Sequence, residues 1–167
     1  KEKLDIKFLP HEEKELTTEE KIASLDEDTK QKALEYKNKA NECFSQKNYS
    51  EALSLYTLAI QLNPYDAIFY SNRSAVYIAM ENYPLALHDA NKCYELKKDW
   101  PKACFRMATA LIKLEEWEEA AVAAWTGYQM SKSKELEKLF KYAVEKGREE
   151  HQAKLKGQKE EQEKEHI

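Results

Sequence analysis

Two pairs of residues in this sequence have a spacing that would place cationic and amide donors on one face of a helix. Lys37 and Asn41 are four residues apart, and so are Lys102 and Arg106. Side chains at that spacing lie on the same face of an α-helix. Together with Asn72, these side chains offer no base or nucleophile at neutral pH, but they can donate hydrogen bonds and positive charge to an anion, most naturally a carboxylate. Single lysines and arginines are usually only solvated, so this interpretation depends on where the fold places the five residues.

Length and composition indicate one helical domain. The 167 residues, 42% of them hydrophobic, suffice to bury one core, so we expect a single domain with tails. Three glycines and four prolines are fewer than sheet-rich folds need for their turns, whereas the abundant Ala, Leu, Glu and Lys favour helices. We therefore predict an all-α fold.

Charge and hydropathy disfavour several classes of partner. The formal net charge of −4 argues against nucleic acid as the main partner, although a local basic groove is still compatible with it. No apolar run approaches the roughly 18 residues of a membrane span, and the sequence does not open with a signal-peptide pattern. We predict no membrane insertion and a cytoplasmic location.

Neither the cysteines nor the histidines form a metal-binding or catalytic motif. The cysteines are odd in number and lack metal-ligand spacing, so we interpret all three as small core residues: Cys43, Cys93 and Cys104. The histidines are scattered, without a nucleophile or a glycine-rich phosphate loop: His11, His88, His151 and His166. We predict no metal, no cofactor and no enzymatic activity in this chain. Because the chain begins with Lys1, we expect a fragment, and an enzymatic domain elsewhere in a longer protein stays compatible with the sequence.

A period of 34 residues organises the centre of the chain. Five series of residues share this spacing: Ala52, Ala86 and Ala120; Tyr49, Tyr83 and Trp117; Ala40, Ser74 and Ala108; Ile60, Tyr94 and Tyr128; Leu62, Leu96 and Met130. Each unit divides into two apolar-periodic halves at a short break, near residues 47–48, 81–82 and 115–116. Two antiparallel helices per unit are therefore predicted.

These units resemble the tetratricopeptide repeat, a 34-residue helix-turn-helix with small residues at its eighth and twentieth positions. We place the units at 33–66, 67–100 and 101–134. The first unit carries the best match to the pattern, with Ala40, Ala52, Tyr56, Ala59 and Pro64, although Tyr36 stands where the family has tryptophan. The resemblance implies an α-solenoid of three helix-turn-helix units, in which each unit buries its apolar face against the next one.

The last unit of such an array needs a cap, and residues 134–147 are suited to provide one. One apolar stripe at helical spacing runs along this segment: Leu136, Leu139, Phe140, Ala143 and Val144. With the cap, seven helices are predicted for a domain over residues 30–147. Residues 1–29 would be an acidic, mobile leader, and residues 148–167 a charged tail that is either helical or disordered.

Within the leader, Thr17 and Glu20 have the spacing of a capping box. This box would start a short helix that carries Ile22 and Leu25. Those two side chains could touch the first helix of the array.

The first helices of stacked units line the concave surface of a solenoid, and all five candidate residues fall on predicted first helices. In this respect the chain resembles the two-carboxylate clamp of co-chaperone tetratricopeptide modules, which bind the Glu-Glu-Val-Asp terminus of cytosolic 90-kDa and 70-kDa heat-shock chaperones. The resemblance implies that Lys37, Asn41 and Asn72 hold the terminal carboxylates. It implies that Lys102 and Arg106 hold the aspartate side chain and nearby peptide groups.

Specificity between chaperones would come from apolar groove positions, for which Phe44, Ala75 and Ile78 are candidates. The same three residues could equally belong to the core, and they do not indicate which chaperone is preferred. Two alternatives stay open. The chain could be a generic repeat scaffold that binds an internal segment of another partner, or the targeting module of a larger enzyme.

Overall fold

The computed structural model describes residues 15–166. These residues form eight α-helices and no strand: α1 (Thr18–Ser24), α2 (Glu27–Ser45), α3 (Tyr49–Leu62), α4 (Ala67–Ala79), α5 (Tyr83–Leu96), α6 (Pro101–Lys113), α7 (Trp117–Ser131) and α8 (Lys134–Glu165). The all-α prediction is confirmed, and the helix count exceeds the predicted seven because α1 precedes the array. The domain limits drawn from the sequence stay predictions.

The short helix α1 begins at the expected capping box. The Thr17 hydroxyl accepts from the Glu20 amide at 3.2 Å, and the Glu20 carboxylate accepts from the Thr17 amide at 2.7 Å. We expected this helix to contact the first helix of the array. Its Ile22 lines one groove together with Tyr65 of the α3–α4 connection and Lys97 of the α5–α6 connection, so α1 lies near these two connections.

Three pairs of helices repeat the same connecting turn. Lys47, Glu81 and Glu115, each 34 residues from the next, have φ of 60°, 59° and 58°. In each turn the amide of the following residue reaches back five positions, for example from Asn48 to the Cys43 carbonyl at 2.8 Å. This left-handed turn satisfies carbonyl groups that a helix end would otherwise leave without partners. The predicted breaks lie at these turns.

Small residues lie where paired helices cross. Ala40, Ala52, Ser74 and Ala86 have no exposed surface, and so their helices approach closely. The one polar member, Ser74, donates its hydroxyl to the Ala86 carbonyl at 2.8 Å, which satisfies a polar group that is otherwise costly to bury.

The interpretation of the three cysteines as small core residues holds for the two that are buried. Cys93 and Cys104 are buried, and Cys43 is partly buried. All three are free thiols. Burial raises the pKa of Cys93 to about 12, so this thiol stays protonated and behaves as a small apolar side chain.

A buried ion pair links α4 and α5 in the centre of the array. Arg73 binds both carboxylate oxygens of Asp89, at 2.7 and 2.8 Å, and its Nη1 lies 3.3 Å from the Thr57 hydroxyl on α3. Asp89 is 1% exposed. The hydrogen bond to Asp89 raises the pKa of Arg73, against the effect of burial. Three consecutive helices are therefore joined by one polar network.

Helix α8 covers the last repeat and then leaves it. Leu136 and Ala143 are buried, as expected for the capping stripe. Gly127 of α7 helps this packing, because a Cβ there would lie 2.7 Å from Cys104 Cβ and 3.0 Å from a Leu136 methyl. Beyond residue 147, α8 continues as one exposed helix to Glu165. Pairs such as Lys154 with Glu150, at 2.6 Å, lie along this exposed part.

Candidate functional site

The five candidate residues lie on the first helices of three successive units. Lys37 and Asn41 are on α2, Asn72 is on α4, and Lys102 and Arg106 are on α6. Helix α4 packs against both α2 and α6, so these three helices form one continuous surface. The structure brings Asn41 and Asn72 into direct contact, and it anchors Arg106 beside the residue that precedes Asn72.

The carboxamide of Asn41 is held by two donors. Its Oδ1 accepts from the Tyr56 hydroxyl and, at 3.2 Å, from Nδ2 of Asn72. Tyr56 is 1% exposed, and burial raises its pKa to about 12, so the phenol remains a donor at neutral pH. With its oxygen occupied twice, Asn41 has its NH₂ group left to donate to a ligand. Asn72 keeps one N–H of its Nδ2 for a ligand, besides its own Oδ1.

Arg106 is a partly buried cation without an acidic partner in residues 15–166. Its Nε donates to the Ser71 hydroxyl at 3.2 Å, which leaves both terminal nitrogens of the guanidinium available. Burial lowers the pKa of Arg106, because the charged form has lost part of its hydration. The guanidinium stays protonated, and a bound anion would compensate the lost hydration.

The two lysines of the set are less enclosed. Lys37 is half-buried and Lys102 is exposed, and neither forms an ion pair with any residue of 15–166. Other lysines of the chain do have such partners, for example Lys141 with Glu137 at 2.6 Å. The concave surface therefore carries three cations that lack carboxylates of the domain, and this excess of positive charge suits an anionic ligand.

The three candidate specificity residues differ in their surroundings. Phe44 packs against the core cluster of the first unit, with its ring centroid 5.7 Å from that of Tyr49. Ala75 and Ile78 on α4 are half-buried and retain surface that a ligand could contact. Phe44 thus shares in the core, while the other two keep the position expected of groove residues.

Two residues of the site escaped the sequence analysis. Tyr56 stood out only as a member of the repeat pattern, and Ser71 was not singled out at all. Both act on the candidate residues through contacts distant in sequence, 15 residues from Asn41 and 35 residues from Arg106. The repeat period is the one sequence signal that could have pointed to Ser71. Ser71 and Arg106 are 35 residues apart, which is one 34-residue unit plus one position, so they occupy neighbouring positions of successive units.

The described histidines and acidic residues, those of 15–166, form no cluster that suggests a metal site. Across residues 15–166, no cluster of His, Cys, Asp or Glu could hold a metal ion. His88 is exposed on α5, 3.9 Å from Asp89, and His11 lies outside the described residues. Within the same part of the chain, no helix is long and apolar enough to cross a membrane.

Comparison with known proteins gives the family. A family model described as the tetratricopeptide repeat matches residues 33–66, the same limits as the first predicted unit. The fold is similar to the first TPR of Spaghetti (RPAP3) bound to the HSP90 peptide SRMEEVD, with a TM-score of 0.69 and 27% identity over 72% of this chain and 94% of that one. The chain contains a tetratricopeptide-repeat domain.

Other tetratricopeptide-repeat structures and relatives agree with this assignment. The TPR2B domain of yeast Sti1 in complex with an Hsp70 peptide has a TM-score of 0.67 and 29% identity, over 69% of this chain and 98% of that one. The STIP1 homolog of Dictyostelium discoideum is 45% identical over 100 residues, 60% of this chain. Serine/threonine-protein phosphatase 5 of Rattus norvegicus is 40% identical over 94 residues, 56% of this chain. The chain spans only 18% and 19% of the length of these two relatives.

Proposed function

We propose that this tetratricopeptide-repeat domain binds the C-terminal Glu-Glu-Val-Asp peptide of heat-shock chaperones of the 90-kDa or 70-kDa class, and acts as a co-chaperone or adaptor in the cytoplasm. The observation that carries the proposal is Arg106, a partly buried guanidinium that no carboxylate of residues 15–166 neutralises. The structural relatives bound to HSP90 and Hsp70 peptides support the same ligand class.

In this proposal each end of the concave surface binds a different part of the peptide. Lys37, Asn41 and Asn72 hold the carboxylates at the chain terminus, since the fixed carboxamides and the ammonium group all donate. Lys102 and Arg106 hold the aspartate side chain and the adjacent peptide groups. Ala75 and Ile78, with the exposed part of Phe44, contact the apolar residues upstream and set the preference between chaperones.

A second candidate is that the domain targets a larger enzyme to its place of action. The similarity to serine/threonine-protein phosphatase 5 favours this possibility, because that relative carries an enzymatic name and this chain matches 19% of it. No enzymatic activity is proposed for the chain itself. Under this candidate the peptide-binding chemistry is unchanged, and only the role of the whole protein differs.

A third candidate, a scaffold that binds an internal segment, is separated from the first by changing the ligand alone. A short peptide ending in Glu-Glu-Val-Asp should bind with a Kd on the order of micromolar, about −7 to −8 kcal/mol. Amidation of its C-terminus removes one carboxylate and brings donors to face donors, so we expect a loss of about tenfold or more. An extra residue after the aspartate should do similar damage, since it moves the α-carboxylate away. Equal fluorescence anisotropy titrations for the three peptides would support the scaffold.

A further inference from the structure

The outward face of α7 is apolar, whereas the same face of the earlier second helices is polar. Val122 and Trp125 of α7 are 63% and 43% exposed. At the same positions of the repeat, 34 and 68 residues earlier, the chain carries polar residues: His88 and Asn91 on α5, and Ser54 and Thr57 on α3. The last unit of a solenoid ordinarily presents a polar outer surface, because no further unit covers it. Exposed valine and tryptophan at these positions therefore indicate a face that another helix covers.

This face of α7 is one wall of a groove of about 530 Å³, whose floor is α8. The same groove occurs one unit earlier, with α5 as one wall, α6 as the floor and α7 as the opposite wall. Leu87 and Asn91 line the earlier groove, and their counterparts 34 residues later, Ala121 and Trp125, line the α7–α8 groove. Only α7 and α8 line this later groove, since α8 is the last helix of residues 15–166. A helix in the place of the opposite wall would cover Val122 and Trp125.

Aromatic side chains surround the α7–α8 groove. The ring centroid of Trp125 lies 5.1 Å from that of Phe140 on α8 and 5.5 Å from that of Tyr128 on α7. Trp117, which also lines the groove, lies 6.0 Å from Tyr142 between ring centroids. Aromatic residues are enriched in the buried centres of protein interfaces, where tryptophan and tyrosine often contribute much of the binding energy. The composition of the groove therefore suits a protein partner.

The two ends of α7 carry charges of opposite sign. Exposed acidic residues surround its first turn: Glu115, Glu116, Glu118 and Glu119. Exposed lysines follow its last turn: Lys132, Lys134 and Lys138. None of these seven residues forms an ion pair with any residue of 15–166. Glu118 lines the groove itself, and Nζ of Lys132 lies 4.9 Å from the ring centroid of Tyr128.

The acidic side chains at the lysine end already have partners within the domain. Glu135 accepts from the Ser133 hydroxyl at 2.7 Å, and Glu137 pairs with Lys141 at 2.6 Å. The groove thus has an acidic end and a basic end. A partner that matches it must carry the same two charges in the opposite order.

The chain itself has this property, because Trp125 lies midway between the charges. Glu118 and Lys132 are each seven residues from Trp125. Seven residues are close to two helical turns, so Glu118 and Trp125 lie on one side of α7, and Lys132 follows just past its last residue. An antiparallel second α7, related by a two-fold axis at Trp125, would bring each Glu118 beside a Lys132 and the two tryptophans together. An interface between identical copies requires such a self-complementary patch.

We propose that two copies of this chain associate through the α7–α8 groove, with α7 of each copy in the groove of the other and antiparallel to its counterpart. Val122, Trp125 and Phe140 form the apolar centre of the interface. Glu118 and Lys132 form two symmetric ion pairs at its ends. This inference is independent of the proposed peptide-binding function, since the clamp residues on α2, α4 and α6 take no part in it and each copy keeps its own concave surface.

Sedimentation equilibrium of the full chain over a range of micromolar concentrations tests the dimer. We expect the average mass to rise from one chain to two, and Val122→Glu to weaken the association about tenfold or more, because a carboxylate would enter the apolar centre. Ser54→Glu is the matched control, since it makes the same change at the same position of the repeat on α3, and it should associate as the wild type does. A single-chain mass at every concentration, or an assembly larger than two, would overturn the proposal. Equal association of the wild type and the Val122 variant, with circular dichroism showing both folded, would also overturn it.

Reversal of the charges tests the antiparallel alignment. Glu118→Lys and Lys132→Glu should each weaken the association about tenfold, because each places two pairs of like charges in the interface. The double variant restores opposite charges at both ends, so its association should return to that of the wild type. A double variant no better than the single ones would contradict this alignment. The Kd for the Glu-Glu-Val-Asp peptide, measured per chain, should be the same in all these variants, which separates a failure of the dimer from a failure of the proposed function.

Discussion

The hydroxyl of Tyr56, on α3, donates to Oδ1 of Asn41, on α2, and Asn72 donates to the same oxygen from α4. A residue of the core thereby fixes the orientation of a residue on the concave surface. Without this bond the carboxamide of Asn41 could rotate and present its oxygen to a carboxylate ligand, which would repel it. The donor character of the surface thus depends on a side chain that no ligand touches.

The first prediction follows from this bond. Tyr56→Phe should weaken binding of the Glu-Glu-Val-Asp peptide by about threefold to tenfold, since the fixed donor is lost. The free energy of unfolding should fall by about 1 kcal/mol for the buried hydrogen bond. Isothermal titration calorimetry and urea unfolding measure the two effects separately.

Tyr70→Phe is the matched control for that variant. It removes another hydrogen-bonded tyrosine hydroxyl, which donates to the Pro64 carbonyl at 2.9 Å and to none of the clamp residues. We expect a similar loss of stability and unchanged peptide affinity. Equal affinity losses in the two variants would show that Tyr56 acts through general stability and not through Asn41.

The second prediction concerns Arg106. Arg106→Ala should weaken peptide binding about tenfold to a hundredfold, because charge-assisted hydrogen bonds contribute about 1.5 to 3 kcal/mol each. Stability should change little, since the variant loses one hydrogen bond to the Ser71 hydroxyl but also relieves a cation that burial disfavours. Arg148→Ala, on the exposed part of α8, is the control and should bind as the wild type does. If calorimetry finds wild-type affinity for the Arg106 variant, the clamp hypothesis is contradicted.

The third prediction tests the close helix crossing. Ala86 has no exposed surface, and its carbonyl accepts from Ser74, so Ala86→Leu must push α4 and α5 apart. We expect a loss of about 1 to 3 kcal/mol in the free energy of unfolding. Ala153→Leu makes the same change on the exposed part of α8 and should leave the stability unaltered. An unchanged melting temperature in the Ala86 variant would contradict the assigned register of the repeats.

The fourth prediction concerns the ion pair between Arg73 and Asp89. Asp89→Leu should destabilise the domain by about 3 to 5 kcal/mol, because the largely enclosed Arg73 loses its counter-charge. The double variant Arg73→Leu, Asp89→Leu removes both charges and should recover a large part of that loss. Urea unfolding of the wild type, both single variants and the double variant gives the coupling energy. Strictly additive effects would mean that the pair contributes no direct interaction.

The repeat architecture could be predicted because close packing restricts residue types. Only Ala, Ser or Gly fit where two helices cross, so the positions of Ala52, Ala86 and Ala120 record the unit length directly. The candidate residues on α2, α4 and α6 followed from the same register, and their role in binding stays a proposal. The buried network of Arg73, Asp89 and Thr57 could not be predicted, since its partners come from three helices and share no local spacing.

The two ends of the chain were harder to predict for a different reason. The helical state of residues 148–165 depends on exposed pairs such as Lys156 with Glu160, each of which contributes only a few tenths of a kcal/mol, so the sequence could not separate helix from disorder. Helix α1 lies beside a groove that Ile22 lines together with residues of two connections that are remote in sequence. Its capping box was visible because that interaction is local.

The pattern of helix contacts has a mechanical consequence for a bound ligand. In residues 15–166 the substantial contacts run between neighbouring helices and between successive first helices, so in this part of the chain the first and third units are joined through the second one. Small angular changes at each junction add up over the array, so they alter the separation of Lys37 from Arg106. A peptide bound to both residues would link the first and third units across the two junctions between units. It would therefore restrict the range of curvatures that the solenoid adopts. Stiffening of the array would then contribute to the entropy cost of binding, and mutations at the junctions could alter affinity without touching the ligand.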